Sequence, residues 1–516
     1  MLWSNVKKYP KPLRLSILEG MAAALMLGGG MVFVVPFAVQ LGANSMEIGL
    51  LTALPALFAA WIQLGSTKML EVYKTRKNAV IVSVFFQAIS WLLIALIPFI
   101  FQKNQVIWLI LFTTAGTTIG SICGPLWQSW MRVLTPKEIL GEYFGTRNAI
   151  IGTSTFLSLL GCGFVLQLIE PTQSVLVFSG IFLLSFIGRT LSSIIFTRIE
   201  EPEACELNEL CKQESTKKQV IGVINFIEQL GKDNFGHFVL YGTLMSFALA
   251  LVGPFFSLYL LNDLGLKNDY FSYTLIISSS AIATLITLPY WGKVIDTYGT
   301  IKVLRATGLL GSIYPLALFF IREPSGLVLA EFLGGMIFAG LNLSLASFIY
   351  QSFPQEKIIK YAGYQGALFG TATAIGVILS GIAQTQNILI GIITNTFYFI
   401  CLAAVIIRLA IHTTLSRKIQ NIGEKQHIHT EKLVISTLAL NPLIEPLAGN
   451  AFTILSTTQS TLKKATRETI KIARTIEQNG KGAIKKAGKL ARERVSEIEK
   501  ITENEIKKIS SNSRKK

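Results

Sequence analysis

The sequence predicts an all-α membrane protein, with twelve transmembrane helices arranged as two six-helix bundles that repeat one another. Three observations carry that prediction. Hydrophobic residues make up 51% of the 516-residue chain and charged residues only 15%, with a mean hydropathy of +0.52, a balance that places most of the chain in lipid. Apolar runs long enough to cross a bilayer recur along most of the length. The first half of the chain is legible a second time in the other half.

A helix needs about 20 apolar residues to cross the hydrocarbon core, and only a helix or a closed barrel satisfies its own backbone hydrogen bonds there. Runs that meet this requirement lie near 15–40, 46–64, 79–101, 106–131, 143–169 and 174–196, and again near 236–261, 271–291, 303–321, 325–350, 361–384 and 388–411. The run from Leu15 to Val39 is too long for the apolar part of a signal peptide and lacks a small-residue cleavage site, so it is counted as the first span. Connectors on the side of the N-terminus are rich in Lys and Arg, whereas the opposite connectors contain only Lys103, Lys267 and Arg322. The positive-inside rule then predicts a multi-pass protein of the cell (inner) membrane with both termini cytoplasmic. The expected organisation is an N-terminal bundle over 1–196, a cytoplasmic linker over 197–235, a C-terminal bundle over 236–412 and a basic tail over 413–516.

Net charge is +17, but residues 413–516 hold 21 Lys and Arg against 10 Asp and Glu. That is a basic tail on a membrane core, and it argues against nucleic acid as a partner. The expected partners are a small-molecule solute and membrane lipid, with anionic lipid at the tail, and a monomer is expected. The five cysteines show no paired C-x-x-C and no His cluster nearby, so no metal site or disulfide is expected. No nucleophile with a paired base, no P-loop and no metal-ligand spacing appears, so the chain is read as a non-enzyme without a cofactor, driven by solute or ion gradients.

The repeat is the most informative feature. Pro36-Phe37 recurs as Pro254-Phe255, and the same offset carries Glu19 onto His237. At a slightly longer offset, Lys68, Tyr73, Thr75 and Lys77 match Lys293, Tyr298, Thr300 and Lys302, with Glu71 over Asp296. At the first offset again, Pro136, Glu138, Tyr143, Gly145, Ala149, Gly152, Thr153, Thr155 and Gly163 match Pro354, Glu356, Tyr361, Gly363, Ala367, Gly370, Thr371, Thr373 and Gly381. With an even number of spans per half, the copies share one orientation and are related by an axis along the membrane normal.

On these residues the chain resembles the major facilitator superfamily over roughly residues 10–412. That family typically shows Gly-x-x-x-Asp-Arg-x-Gly-Arg-Arg after spans two and eight. Here the second copy reads Gly292, Asp296, Gly299 and Lys302, while the first offers Thr67, Glu71, Lys74, Arg76 and Lys77; Val72 and Thr297 replace the Arg after the acid. The expected gating residues are therefore Glu71, Lys74, Arg76 and Lys77 with Gly292, Asp296, Gly299 and Lys302. Glu71 is expected to face the helix start of span eleven near Tyr361 as an inner latch. The stretch Gly124-Pro125-Leu126-Trp127-Gln128-Ser129-Trp130, leading to Tyr143-Phe144-Gly145-Thr146-Arg147-Asn148, is similar to bacterial members of the superfamily.

The resemblance implies that spans one, four, seven and ten line a central cavity, which selects Glu19, Gln128, His237, Glu331 and Asn342 as substrate or proton contacts. Glu331 leads as the proton-exchanging group, because it stands about two turns from the outer end, where holding a carboxylate out of water is costly. A bond to a neighbouring helix is the other reading of the same residue. Arg189 is read as snorkelling to the inner headgroups, and Gln63, Gln87, Gln365 and Asn395 as helix–helix hydrogen bonds. Pro36 and Pro254 remove backbone donors in corresponding helices and are the expected bends. The few charges in the cavity argue against highly charged solutes.

In the tail, residues 433–447 are apolar but too short to cross, which reads as an interfacial segment. Ile484, Ala487, Ala491, Val495, Ile498, Thr502, Ile506 and Ile509 form one thin stripe flanked by basic residues, which suits either a helix on anionic lipid or a solvated tail. The function expected is a secondary transporter working by alternating access, with coupling to protons left open. The alternative is a transport-inactive receptor or scaffold acting through the tail.

Overall fold

The computed structural model describes residues 6, 8–65, 73, 75–136, 139–169, 173–201, 226–352, 355–386, 395–422 and 430–442. Among these, twelve helices are long and apolar enough to cross a membrane: α1 (Lys11–Gln40), α2 (Ser45–Ile62), α3 (Arg76–Ile100), α4 (Gln105–Leu134), α5 (Glu142–Gln167), α6 (Ser174–Thr197), α7 (Asn234–Asp263), α8 (Tyr270–Tyr298), α9 (Thr300–Phe320), α10 (Pro324–Ile349), α11 (Tyr361–Thr385) and α12 (Thr396–Lys418). A short helix, α13 (Thr430–Leu438), follows. Residues Met1–Ile435, which include both bundles, form one compact unit, and Ser436–Lys516 form a second; of the second, only residues 436–442 are described.

The helix limits follow local chemistry. Asn44 and Glu47 make a reciprocal cap at the start of α2, satisfying donors that the first turn leaves free. The helix α8 runs on through Pro289 and Gly292 to Tyr298, beyond its expected end near 291, and stops at Gly299, which turns the chain at φ +93°. Gly292 and Asp296 are consequently helical, and Gly299 alone makes the turn into α9. The repeat-matched first helices are both irregular. In α1 a wider, π-type turn occupies Met26–Gly30, and the helix continues through Pro36. In α7 the regular helix stops at Ala250 and restarts at Gly253-Pro254, where proline cannot donate to the preceding turn.

Residues matched by the repeat build the seam between the bundles. A Cβ on Gly152 of α5 would meet the Leu285 side chain of α8, and one on Gly370 of α11 would meet Ala60 of α2. Gly163 abuts Thr274 of α8, and Gly381 lies against Gly49 of α2, where a Cβ would be 3.7 Å from the facing Cα. All four contacts obey both sequence offsets, the shorter one relating the glycines and the longer one their partners. Small residues let these helices approach closely within lipid, where packing is the main force between them. The Trp61 indole N–H donates to the Thr371 hydroxyl across the same seam, at 2.9 Å.

The third helix of each half is capped alike. The Glu201 carboxylate, just beyond α6, accepts from the backbone N–H groups of Arg76 and Lys77, both at 3.1 Å. Asn421, just beyond α12, accepts from the N–H of Ile301 at 3.0 Å. Free donors at a helix start attract such acceptors.

The buried apolar clusters are distributed unevenly. One cluster at the end away from the termini joins both halves, with Phe33, Phe37 and Leu51 from the first and Phe255, Leu260 and Tyr273 from the second. Phe178 and Tyr270 meet edge to face across it, with ring centroids 5.5 Å apart. Nearer the termini, the buried residues of each further cluster belong to a single half. The buried cores are therefore shared at one end and separate at the other, where Leu64 of the first half packs on the edge of the second half's cluster.

The tail departs from its expectation at its start. Leu433 of α13 is 2% exposed among Trp291, Val294, Val303 and Ala339, so this part of the segment expected at an interface is core. The stripe over 484–509 lies outside the described residues.

Candidate functional site

Buried charge gathers in the N-terminal bundle. Glu19 of α1 is 3% exposed. One of its oxygens accepts from the Ser192 hydroxyl of α6 at 2.8 Å and lies 3.7 Å from the Arg189 guanidinium. The other pairs with Arg147 of α5 at 3.3 Å. Arg189 also donates to the Gln87 side-chain carbonyl of α3 at 2.7 Å and to Ser192 at 3.2 Å. Arg147 donates to Ser16 at 3.2 Å, and its guanidinium lies 4.2 Å from the centre of the Trp127 ring of α4, a cation–π contact worth about 0.5–2 kcal/mol according to its exposure. Four helices thus meet on Glu19 and its two arginines, and α4 lays Trp127 over one of them.

An isolated charge at this depth costs roughly 2.5–3.5 kcal/mol even on insertion scales, so mutual pairing explains how three charges persist. Arg189 does not reach the headgroups as expected. It is 8% exposed and turned inward, because Glu19, Gln87 and Ser192 supply nearer partners than water.

The C-terminal bundle carries a counterpart. Arg408 of α12 is 2% exposed and donates to the backbone carbonyls of Ala248 at 3.2 Å, Gly311 at 3.1 Å and Leu249 at 3.4 Å. The first and third of these border the interruption in α7, where carbonyls lose their helical donors. Glu331 of α10 accepts from the Tyr314 hydroxyl of α9 at 2.5 Å, and the Tyr314 ring packs over Gly334, where a Cβ would come within 2.7 Å.

The other predicted contacts are not drawn together. His237, matched to Glu19 by the repeat, places its Nδ1 2.7 Å from the Asp233 carbonyl at the cap of its own helix. Gln128 and Asn342 are exposed on α4 and α10. Of the gating residues, Glu71 and Lys74 lie outside the described residues; Arg76 is buried, Lys77 half-buried, and Asp296 exposed. Gly299 and Lys302 stand at the α8–α9 turn. Sequence reasoning left Arg147, Arg189, Ser192, Tyr314 and Arg408 outside its site. One signal was available, since Arg189 and Arg408 are ionisable residues in the sixth apolar run of each half. A groove of about 530 Å³ between α2 and α4 is lined by Leu54, Phe58, Ile107, Leu111 and Thr118; it is apolar and separate from these charges.

Two repeat-related six-helix bundles that share a seam and hold charge in their interior define a multi-pass membrane transport protein. The Major Facilitator Superfamily profile matches residues 18–233 and 238–464, so the chain belongs to that superfamily. Among solved structures, the nucleoside transporter NupG is similar with a TM-score of 0.58 and 14% identity, covering 79% of this chain and 98% of that one. The xylose transporter XylE from E. coli, in a partially occluded inward open conformation, gives 0.58 and 12%, covering 80% and 98%. A POT family transporter in complex with 5-aminolevulinic acid gives 0.57 and 14%, covering 80% and 97%. No curated protein matches the sequence.

Proposed function

We propose that the protein is a secondary transporter that moves a small solute across the cell membrane by alternating access, with both termini in the cytoplasm. The observation that carries this reading is the uneven distribution of buried clusters. One apolar cluster with buried residues from both halves closes the end away from the termini, while the buried residues of the clusters nearer the termini come from single halves, with Leu64 of the first half packed on the edge of the second half's cluster. Such an arrangement supports rocking about the α2–α11 and α5–α8 seam, with the cycle reversing which end is sealed. The wide turn in α1, which lies at Met26–Gly30 ahead of Pro36, and the interruption in α7 at Gly253-Pro254 are the bends that let the first helix of each half follow. The two gating loops would latch the cytoplasmic end in the opposite state, with Glu71 set against the start of α11. Glu331, held by Tyr314, is the group that would couple the cycle to protons.

The solutes named for the similar structures differ among themselves, and at so low an identity none transfers to this chain. The test is paired labelling in vesicles of protein with cysteine placed at Leu51 or at Gln128. Solute gradients should raise labelling at one position as they lower it at the other. Labelling that never exchanges between the two, with no solute flux, refutes alternating access.

A further inference from the structure

We infer that the solute is a small organic or inorganic anion, bearing a carboxylate or phosphate that docks on Arg147. This rests on the transporter reading, and it begins with a charge count. Arg147 and Arg189 converge on Glu19, and among the described residues Glu19 is the single carboxylate within ion-pair distance of either. The cluster therefore keeps one positive charge in excess.

The bond lengths say which arginine carries it. Arg189 is 8% exposed and committed to Gln87 at 2.7 Å and Ser192 at 3.2 Å. Glu19 in turn is anchored on that side by Ser192 at 2.8 Å. Arg147 is held more loosely, by Ser16 at 3.2 Å and Glu19 at 3.3 Å. Its guanidinium rests on the Trp127 face, leaving donors that no described acceptor takes.

Arg147 stands at the edge of the space between the bundles, with 11% of its side chain exposed. Along α5, Arg147 and Ile151 turn toward Gly20 of α1, whereas Gly152 turns toward Leu285 across the seam. Residues between those directions on the helix face the space between the bundles; Asn148 lies there and is exposed. Trp127 and Phe144, edge to face with centroids 6.1 Å apart, are both half-buried beside it. In the other bundle, the buried Arg408 of the sixth helix is answered by three backbone carbonyls. A planar fork over an aromatic face suits carboxylate or phosphate. Docking there would let the solute take Arg147 from Glu19, leaving Glu19 with Arg189 and Ser192.

The experiment uses full-length protein in detergent and in vesicles. Thermal stabilisation is measured with acetate against acetamide, benzoate against benzamide, and inorganic phosphate. At least one anion should bind tenfold or more tightly than its neutral match, or phosphate should bind alone. Arg147→Gln should abolish the preference and Arg147→Lys retain part of it. Glu19→Gln removes the competing carboxylate and should tighten anion binding at least threefold, whereas a purely structural Glu19 predicts weakening. Equal binding of charged and neutral probes, anion binding unchanged in Arg147→Gln, or no anion binding by folded protein each overturns the inference. An anion response present in phosphatidylcholine vesicles and lost in phosphatidylglycerol vesicles assigns Arg147 to a lipid headgroup and also overturns it. Uptake of neutral probes without uptake of anions removes the anion and keeps the transporter; anion binding without exchange of any probe removes the transporter and keeps the anion site.

Discussion

Replacing Arg189 by methionine separates a structural ion pair from a snorkelling side chain. The substitution keeps much of the apolar stem and removes the guanidinium that serves Gln87, Ser192 and Glu19. Gln87 is 6% exposed, and orphaning its buried carbonyl costs about 1–3 kcal/mol. Breaking a buried ion pair outright costs about 3–5 kcal/mol, but Arg147 still balances Glu19, so the expected loss is about 2–4 kcal/mol. The assay is reversible unfolding in mixed micelles by increasing SDS, run as a double-mutant cycle with Gln87→Leu. Coupling of about 0.5–3 kcal/mol is expected between residues sharing one bond. A side chain that merely reached the headgroups would lose no more than about 0.5 kcal/mol, and such a loss with additive effects refutes the buried network.

Glu201→Ala removes the acceptor at the start of α3 and should destabilise the protein by about 0.5–2 kcal/mol, read in the same titration, with faster cysteine labelling near Arg76. Gly370→Leu drives a side chain into Ala60 and should lower solute flux at least tenfold while the protein stays folded by size-exclusion chromatography. Leu433→Ala should cost about 2–5 kcal/mol as a core truncation, whereas deletion of residues 443–516 should leave flux intact; a cut placed before Leu433 would remove the buried Leu433 and Thr437 as well as the tail. Glu331→Gln should abolish the response of transport to a pH gradient, and Tyr314→Phe should weaken it, both measured as initial uptake rates across imposed gradients.

Lys68 over Lys293, Gly152 over Gly370 and Pro36 over Pro254 could be aligned from residue types alone, and they brought the two-bundle architecture with them. The partners of those glycines could not be read. Leu285 and Ala60 are ordinary apolar residues, and their matching positions acquire meaning once α5 meets α8 and α11 meets α2. Span ends were legible where a breaker or cap stood in the chain, as at Asn44, and misplaced where the helix simply ran on, as in α8. Of the predicted contacts, Glu19 lies in a charged network and Glu331 bonds to a tyrosine, while His237 turned to its own helix cap.

The sequence by itself determined what lipid demands: apolar length, regular helices, basic connectors on one side, and two copies of one pattern. Those properties depend on each segment's own composition and on its solvent. Which charges neutralise one another was decided only by tertiary structure. Arg147, Arg189 and Glu19 stand on three different helices, and Arg408 meets carbonyls on two others. Coulomb attraction acts through space and steepens as water is excluded, so partners far apart in the chain become partners when packing places them a few ångströms apart.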